Sequence, residues 1–169
     1  MPSSIAWDLI GRALMRTIND ATTRQTTQVE VTEGELIDDV ERMQNYGMTS
    51  VPPAGSDATL LFLGGDRAQG IVIAMENQTL RIKDLLNGEV AIYDDKGNVF
   101  KLGTNAVELV ATQHVEVTAP TVRIVGAVTI QGNLQVNGNI ANTGTLVNAG
   151  KDVGSTHHHV GSPGTAVPV

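Results

Sequence analysis

The segment GAVTIQGNLQVNGNIANTGTLVNAG, residues 126–150, decides the fold. Glycine stands at 126, 132, 138, 144 and 150, a strict period of six, so the segment is an internal repeat. Two places after each of the first four glycines comes an aliphatic residue, Val128, Leu134, Ile140 or Leu146, and the first two hexads add Ile130 and Val136. Alternate side chains of an extended chain share a face. Each hexad therefore carries one narrow apolar face, followed by a glycine at which the backbone can turn. A unit this small cannot bury its own face, and stacked units leave unpaired edges that proteins close or cover. The simplest closure is a β-helix or prism in which three identical chains share one aliphatic axis, with Val128, Ile130, Leu134, Val136, Ile140 and Leu146 packed on it.

The flanking text and the composition agree with this closure. Upstream, Val115/Val117 and Val122/Ile124 keep the paired alternation at a looser spacing of seven. Only Trp7, Tyr46, Phe62, Tyr93 and Phe100 are aromatic, which suits a thin aliphatic axis better than a large globular core. Beyond residue 118 the only charged residues are Arg123, Lys151 and Asp152, so the chain has a charged first part and a nearly uncharged second.

Downstream lies GSTHHHVGSPG, residues 154–164, which holds three of the four histidines. In an extended chain His157 and His159 point to one side and His158 to the other. Two convergent imidazoles fall short of the three protein ligands of even an open zinc site. A threefold axis turns two ligands per chain into six, an octahedral set that favours iron over zinc among the metals imidazole suits. Two bland readings stand beside this one. A purification tag is usually a longer run at a terminus, and a solvated polar tail would have no ligand role. His114, alone in TQHVEV, reads as a surface or inter-chain packing histidine.

The N-terminal part reads differently. Residues 3–19 place Trp7, Ile10, Leu14 and Ile18 at helical spacing, with Asp8, Arg12 and Arg16 on another face. This predicts a short amphipathic helix capped by Ser3 or Ser4. From residue 26 to 78 short β runs (Val29/Val31, Thr59 to Leu63, Gly70 to Met75) alternate with the turn formers PPAGSD and GGDRAQ, a meander that suits a small OB-like barrel. Gly64 and Gly65 read as a hairpin rather than a phosphate cradle, since no Gly-Lys-Ser or Gly-Lys-Thr follows. In EVAIYDDKGNVFKLG the residues Asp94, Asp95 and Asn98 read as a β-turn between two strands; their spacing is not that of an EF-hand. The expected organisation is an N-terminal helix over 1–19, an OB-fold domain over 20–78, the trimeric β-helix over 79–150 and a metal-binding apex over 151–169.

Bulk properties exclude several functions. A net charge of −7 repels phosphate backbones and argues against a nucleic-acid binder. Cysteine is absent, so disulfides and thiolate metal sites are excluded. The longest aliphatic run, IVIAM at 71–75, is too short to span a bilayer. No secretion signal opens the sequence, which makes synthesis in the cytoplasm the expectation.

Taken in order, the N-terminal helix, NYGMTSVPPAGSDATLLFLGGDRAQGIVIA with GEVAIYDDKGNVFKL after it, the hexads VTIQGNLQVNGNI, and THHHVGSPG resemble the central spike, or baseplate assembly protein V, of Mu-like contractile-tailed phages. The resemblance covers nearly the whole chain. It implies a homotrimeric virion protein at the tip of the tail baseplate, made in the host cytoplasm, whose OB-fold domain docks on the tail hub protein. It also implies a triple-stranded β-helix ending in a His-x-His tip that binds one iron ion per trimer, with other ions at the apex in some relatives. His157 and His159 match that motif, and His158 is the intervening residue. In such a family the tip pierces the host outer membrane when the sheath contracts. No lysozyme-like domain is visible, so neither an enzyme nor a catalytic residue is expected.

Two rival readings belong to other classes. Hexapeptide-repeat acyltransferases are also trimeric β-helices, but they place an aliphatic residue beside the glycine, where this chain has Val125, Gln131, Asn137, Thr143 and Ala149. An OB-fold module for single-stranded nucleic acid would need a basic groove with stacking aromatics, which the sequence lacks.

Overall fold

The computed structural model describes residues 9–154 of the 169; Ser3, Ser4, Trp7, Asp8 and the three consecutive histidines lie outside them. The chain falls into two units, Met1–Val117 and Thr118–Val169. Among the described residues regular structure in both is β, apart from two short 3-10 turns.

Five strands of the first unit close into a barrel: β1 (Ile10–Asn19), β2 (Thr26–Thr32), β3 (Glu35–Arg42), β4 (Asp57–Phe62) and β5 (Gly70–Glu76). Their order around the barrel is β1-β2-β3-β5-β4. All neighbours are antiparallel except β3 and β5, which run parallel through Glu41↔Ile71 and Arg42↔Val72. Period-two burial explains the strands. In β4 (DATLLF) Ala58, Leu60 and Phe62 point inward without exception; in β2 Thr27 and Val29 do so. The buried Thr27 hydroxyl donates to the Thr17 carbonyl at 2.8 Å, so its polar atom is not stranded.

The expected helix over 1–19 is corrected here: residues 10–19 form β1. Ala13 and Met15 face the core while Ile10 and Leu14 are exposed, so the operative period is two and the helical spacing of Ile10, Leu14 and Ile18 is coincidental. Strand pairing on both edges overrides the local signal. Residues 10–14 pair with β4 and residues 14–19 with β2, across a bulge at Arg16 that bends the strand from one partner to the other. Arg16 then points outward and donates to the Glu30 carboxylate.

Among the described residues Phe62 is the one aromatic ring of the barrel core, and two glycines make room for it. A Cβ on Gly11 would stand 2.8 Å from its Cε2, and one on Gly70 3.3 Å from its Cε1. The guanidinium of Arg67 lies 5.8 Å from the ring centroid. Gly64 and Gly65 belong to the expected hairpin, joining antiparallel β4 and β5 through the 3-10 turns Leu63–Gly65 and Arg67–Gln69. Leu60 is fully buried at the centre of this cluster. Leu60→Ala is expected to destabilise the barrel by about 2–5 kcal/mol, read as a lowered denaturant midpoint with an unchanged slope.

After the barrel come β6 (Val90–Tyr93), β7 (Val99–Leu102) and β8 (Val107–Val110), an antiparallel three-stranded sheet. The turn between β6 and β7 is the β-turn read from DDKGN. The Asp94 carboxylate accepts from the Lys96 and Asn98 amides, both at 2.9 Å, and from Asn98 Nδ2 at 2.6 Å. These bonds, the Asn98 side chain foremost, hold its pKa below the ordinary carboxylate value.

From the end of β8 through the second unit as far as Val147, no residue belongs to a hydrogen-bonded strand. The chain there bends at Gly126, Gly132, Gly138 and Gly144, so the six-residue period is present in the backbone itself. Gly126 and Gly132 share one conformation, φ 138° and 137°, which a side chain would strain. A tight hairpin then joins β9 (Val147–Asn148) to β10 (Lys151–Asp152). Its two turn residues, Ala149 and Gly150, both have positive φ, the geometry of short hairpin turns.

Candidate functional site

Two regions carry the functional reading, the apolar stripe of the hexads and the structure leading into it. All six stripe residues, Val128, Ile130, Leu134, Val136, Ile140 and Leu146, are exposed in the single chain, by 44% to 69%. The exposure is general, since every residue from Thr104 to Lys151 is exposed. Space around the glycines is equally open: a Cβ at Gly126, Gly132 or Gly138 would meet nothing within 4 Å. Between Val110 and Val147 no coil closes within one chain, as a self-contained hexapeptide-repeat coil would. His114 is exposed. His157 and His159 lie outside the described residues, and among those described no cluster of three or more His, Cys, Asp or Glu side chains could hold a metal.

Sequence reasoning missed Glu89, which anchors the sheet that precedes the stripe. Its Oε1 accepts from the Thr104 amide at 2.9 Å and the Thr104 hydroxyl at 3.2 Å. Its Oε2 accepts from the Leu86 amide at 3.1 Å and from Lys101 Nζ at 3.1 Å. One carboxylate thus ties the approach to β6 to the end of β7. The available signal was a lone Glu just ahead of VAIY, in a chain with few charges after it.

The four donors, the Thr104 amide first, hold the Glu89 pKa at about 2, against an ordinary 4.5. A carboxyl whose folded pKa is depressed contributes stability that is present above its unfolded value and lost as pH falls through the folded one. Glu89→Gln is therefore expected to lower the thermal midpoint at neutral pH. The gap from the natural chain should narrow between pH 4.5 and about 2, which melts across that range would check.

A second polar cluster fixes the connection between β3 and β4. Arg42 Nη1 donates to Gln25 Oε1 and, at 2.6 Å, to the Ser50 carbonyl, while Nη2 reaches Ser50 Oγ at 3.0 Å. The connection holds several exposed apolar side chains, among them Met43, Tyr46 and Met48. Nothing in this cluster is arranged for acid–base or nucleophilic chemistry.

Comparison with known proteins agrees with the geometry. Residues 12–79 match the family described as Bacteriophage Mu Gp45, N-terminal, a span that covers almost all of the barrel. Over 131 residues the chain is 34% identical to the baseplate puncturing device gp45 of Escherichia phage Mu, covering 73% of this chain and 66% of that protein. It is 32% identical over 113 residues to the Mu-like prophage FluMu protein gp45 of Haemophilus influenzae, covering 67% of this chain and 62% of that one. The chain thus spans a little under two thirds of the length of each relative. With the barrel matched by the family and more than half of this chain aligned to both relatives, the protein belongs to the Mu-like family of phage tail baseplate spike proteins.

Proposed function

We propose that the chain is the central spike of a contractile-tail baseplate, a structural homotrimer without a catalytic role that pierces the host outer membrane when the sheath contracts. Family membership puts it in the virion, in the tail baseplate. One observation carries the spike reading: no residue from Thr104 to Lys151 is buried in the single chain, yet an aliphatic side chain recurs at every hexad. Burial of each such side chain is worth about 1.5–3 kcal/mol. Three copies sharing Val128, Ile130, Leu134, Val136, Ile140 and Leu146 on one axis would supply that burial and give each extended segment a strand neighbour.

The barrel is read as an OB-type fold that docks on the tail hub protein; its five-strand order and single parallel pair support that reading. At the far side of the repeat, His157 and His159 of three chains are proposed to hold one iron ion, with room for other ions at the same apex.

Tails whose chain lacks residues 126–169 test the function. They should assemble baseplates and adsorb to cells but fail to deliver the genome. Normal delivery would overturn the piercing role, and absent baseplates would move the segment from piercing to assembly.

A further inference from the structure

One stretch of the barrel differs in composition from the charged text around it. Residues 43–56, MQNYGMTSVPPAGS, hold no Asp, Glu, Lys or Arg, and they form the whole connection between β3 and β4. Elsewhere the barrel surface carries the ion pairs Arg16–Glu30, Arg24–Glu41 and Arg67–Glu35. In place of charge the connection shows apolar side chains to solvent. Met43, Met48 and Val51 are exposed by 56% to 60%, and Tyr46 is exposed completely.

These side chains do not hold the loop together; polar bonds do. The Met43 amide donates to the Val72 carbonyl at 2.9 Å and the Gly55 amide to the Met15 carbonyl at 2.8 Å, which pins both ends to the barrel. Between them the Gln44 side chain spans the loop, accepting from the Ser50 amide at 2.8 Å and donating to Thr49 Oγ1 at 3.3 Å, beside the bonds from Arg42 to Ser50. Gly47, at φ 84°, supplies the left-handed turn between Tyr46 and Met48. A loop fixed without its apolar side chains leaves them free for a partner, and binding it costs little further ordering entropy.

Met43, Met48 and Val51 also line a hollow of about 700 Å³ together with Ile73 and Met75 of β5. Tyrosine and methionine without charge is the composition of an interface core; methionine adapts to irregular surfaces, and tyrosine is among the residues that dominate binding energy. We infer that this connection is the contact through which the barrel docks on the tail hub protein, an uncharged hub surface offering an apolar side chain to the hollow and receiving the Tyr46 ring. The assignment rests on the proposed hub docking and gives it a place on the barrel. Charge selects the occupant. A nucleic acid needs cations, and a lipid surface needs basic residues around the apolar ones; the loop has neither. Contacts within a ring of copies match one patch to a different one, and what another copy offers is a charged barrel wall or a hexad stripe already used by the proposed axis.

Tyr46→Ala, Met48→Asp and, on the turn between β2 and β3, Glu33→Ala test the contact. Each is made in the full chain and titrated against the purified hub protein, with mass in solution and thermal melting followed in parallel. All three should keep the mass and melting temperature of the natural chain, because Tyr46 has no covered surface to lose and Met48 has little. Tyr46→Ala and Met48→Asp should weaken hub binding by about thirtyfold or more, the range of interface hot spots, and Glu33→Ala should leave it unchanged. Undiminished binding by Tyr46→Ala and Met48→Asp, or an equal loss in Glu33→Ala, overturns the loop as the contact and leaves hub docking standing. A changed mass in the two loop variants makes the loop a contact between copies and also overturns the assignment. A natural chain that does not bind the hub overturns the docking itself, and this contact with it.

Discussion

Leu134→Asp is expected to convert the proposed trimer to monomers at neutral pH. On the proposed axis the substitution brings three carboxylates together where each now has an exposed leucine side chain in the single chain. Burying unpaired charge is costly enough that a group neutralises or the structure opens. Burial and like charge both raise a carboxyl pKa, so the variant should regain part of its trimer as pH falls toward the ordinary Asp value of about 3.9. Leu134→Met, close in volume, should cost less than about 1.5 kcal/mol per site and leave the trimer intact. Because Leu134 lies outside Ile10–Glu76, slow amide exchange in the barrel should survive in every variant. Light scattering decides: a monodisperse trimer of Leu134→Asp at pH 7 would show that the hexad stripe is not the axis.

The sequence showed those features that depend on short-range periodicity. DATLLF alternates strictly, so β4 is legible, and the hexad glycines reappear as backbone bends at the same positions. It hid what depends on distant partners. In β1 the inward residues are Gly11, Ala13 and Met15, which carry little strand signal, while Ile10, Leu14 and Ile18 happen to mimic a helix. Only pairing with β2, next along the chain, and with β4, remote in sequence, selects the strand. In β3 the consecutive Asp38 and Asp39 break the alternation; the structure accommodates them as a bulge opposite Gln28, with Asp39 at φ 53°. Glu89 escaped notice because two of its partners, Lys101 and Thr104, reach it only when β6 and β7 pair. The apolar face of the three-stranded sheet was also half visible. Val90, Ile92 and Leu102 stand out in the text, but only the register unites them with Val107 and Leu109 and sends Val99 to the opposite side.

Substitutions in the histidine triplet should separate sharply. If alternate side chains converge on the threefold axis, His157→Ala or His159→Ala removes three of six imidazoles at once and should abolish iron binding. His158→Ala removes three that face outward and should leave it intact. Elemental analysis of the natural protein should find about one iron per three chains, the octahedral count. Imidazole must be neutral to ligate, so protons compete with the metal. Iron should be retained above the ordinary histidine range near ~6.5 and lost at some lower pH, displaced downward by the binding free energy. Because that binding is shared by three chains, it also acts as assembly energy: the two ligand variants should melt at lower temperature, and a chelator should bring the natural protein and His158→Ala down to the same midpoint. Equal loss of metal at all three positions, or a metal-free protein purified without chelator, would reduce the triplet to a solvated polar segment.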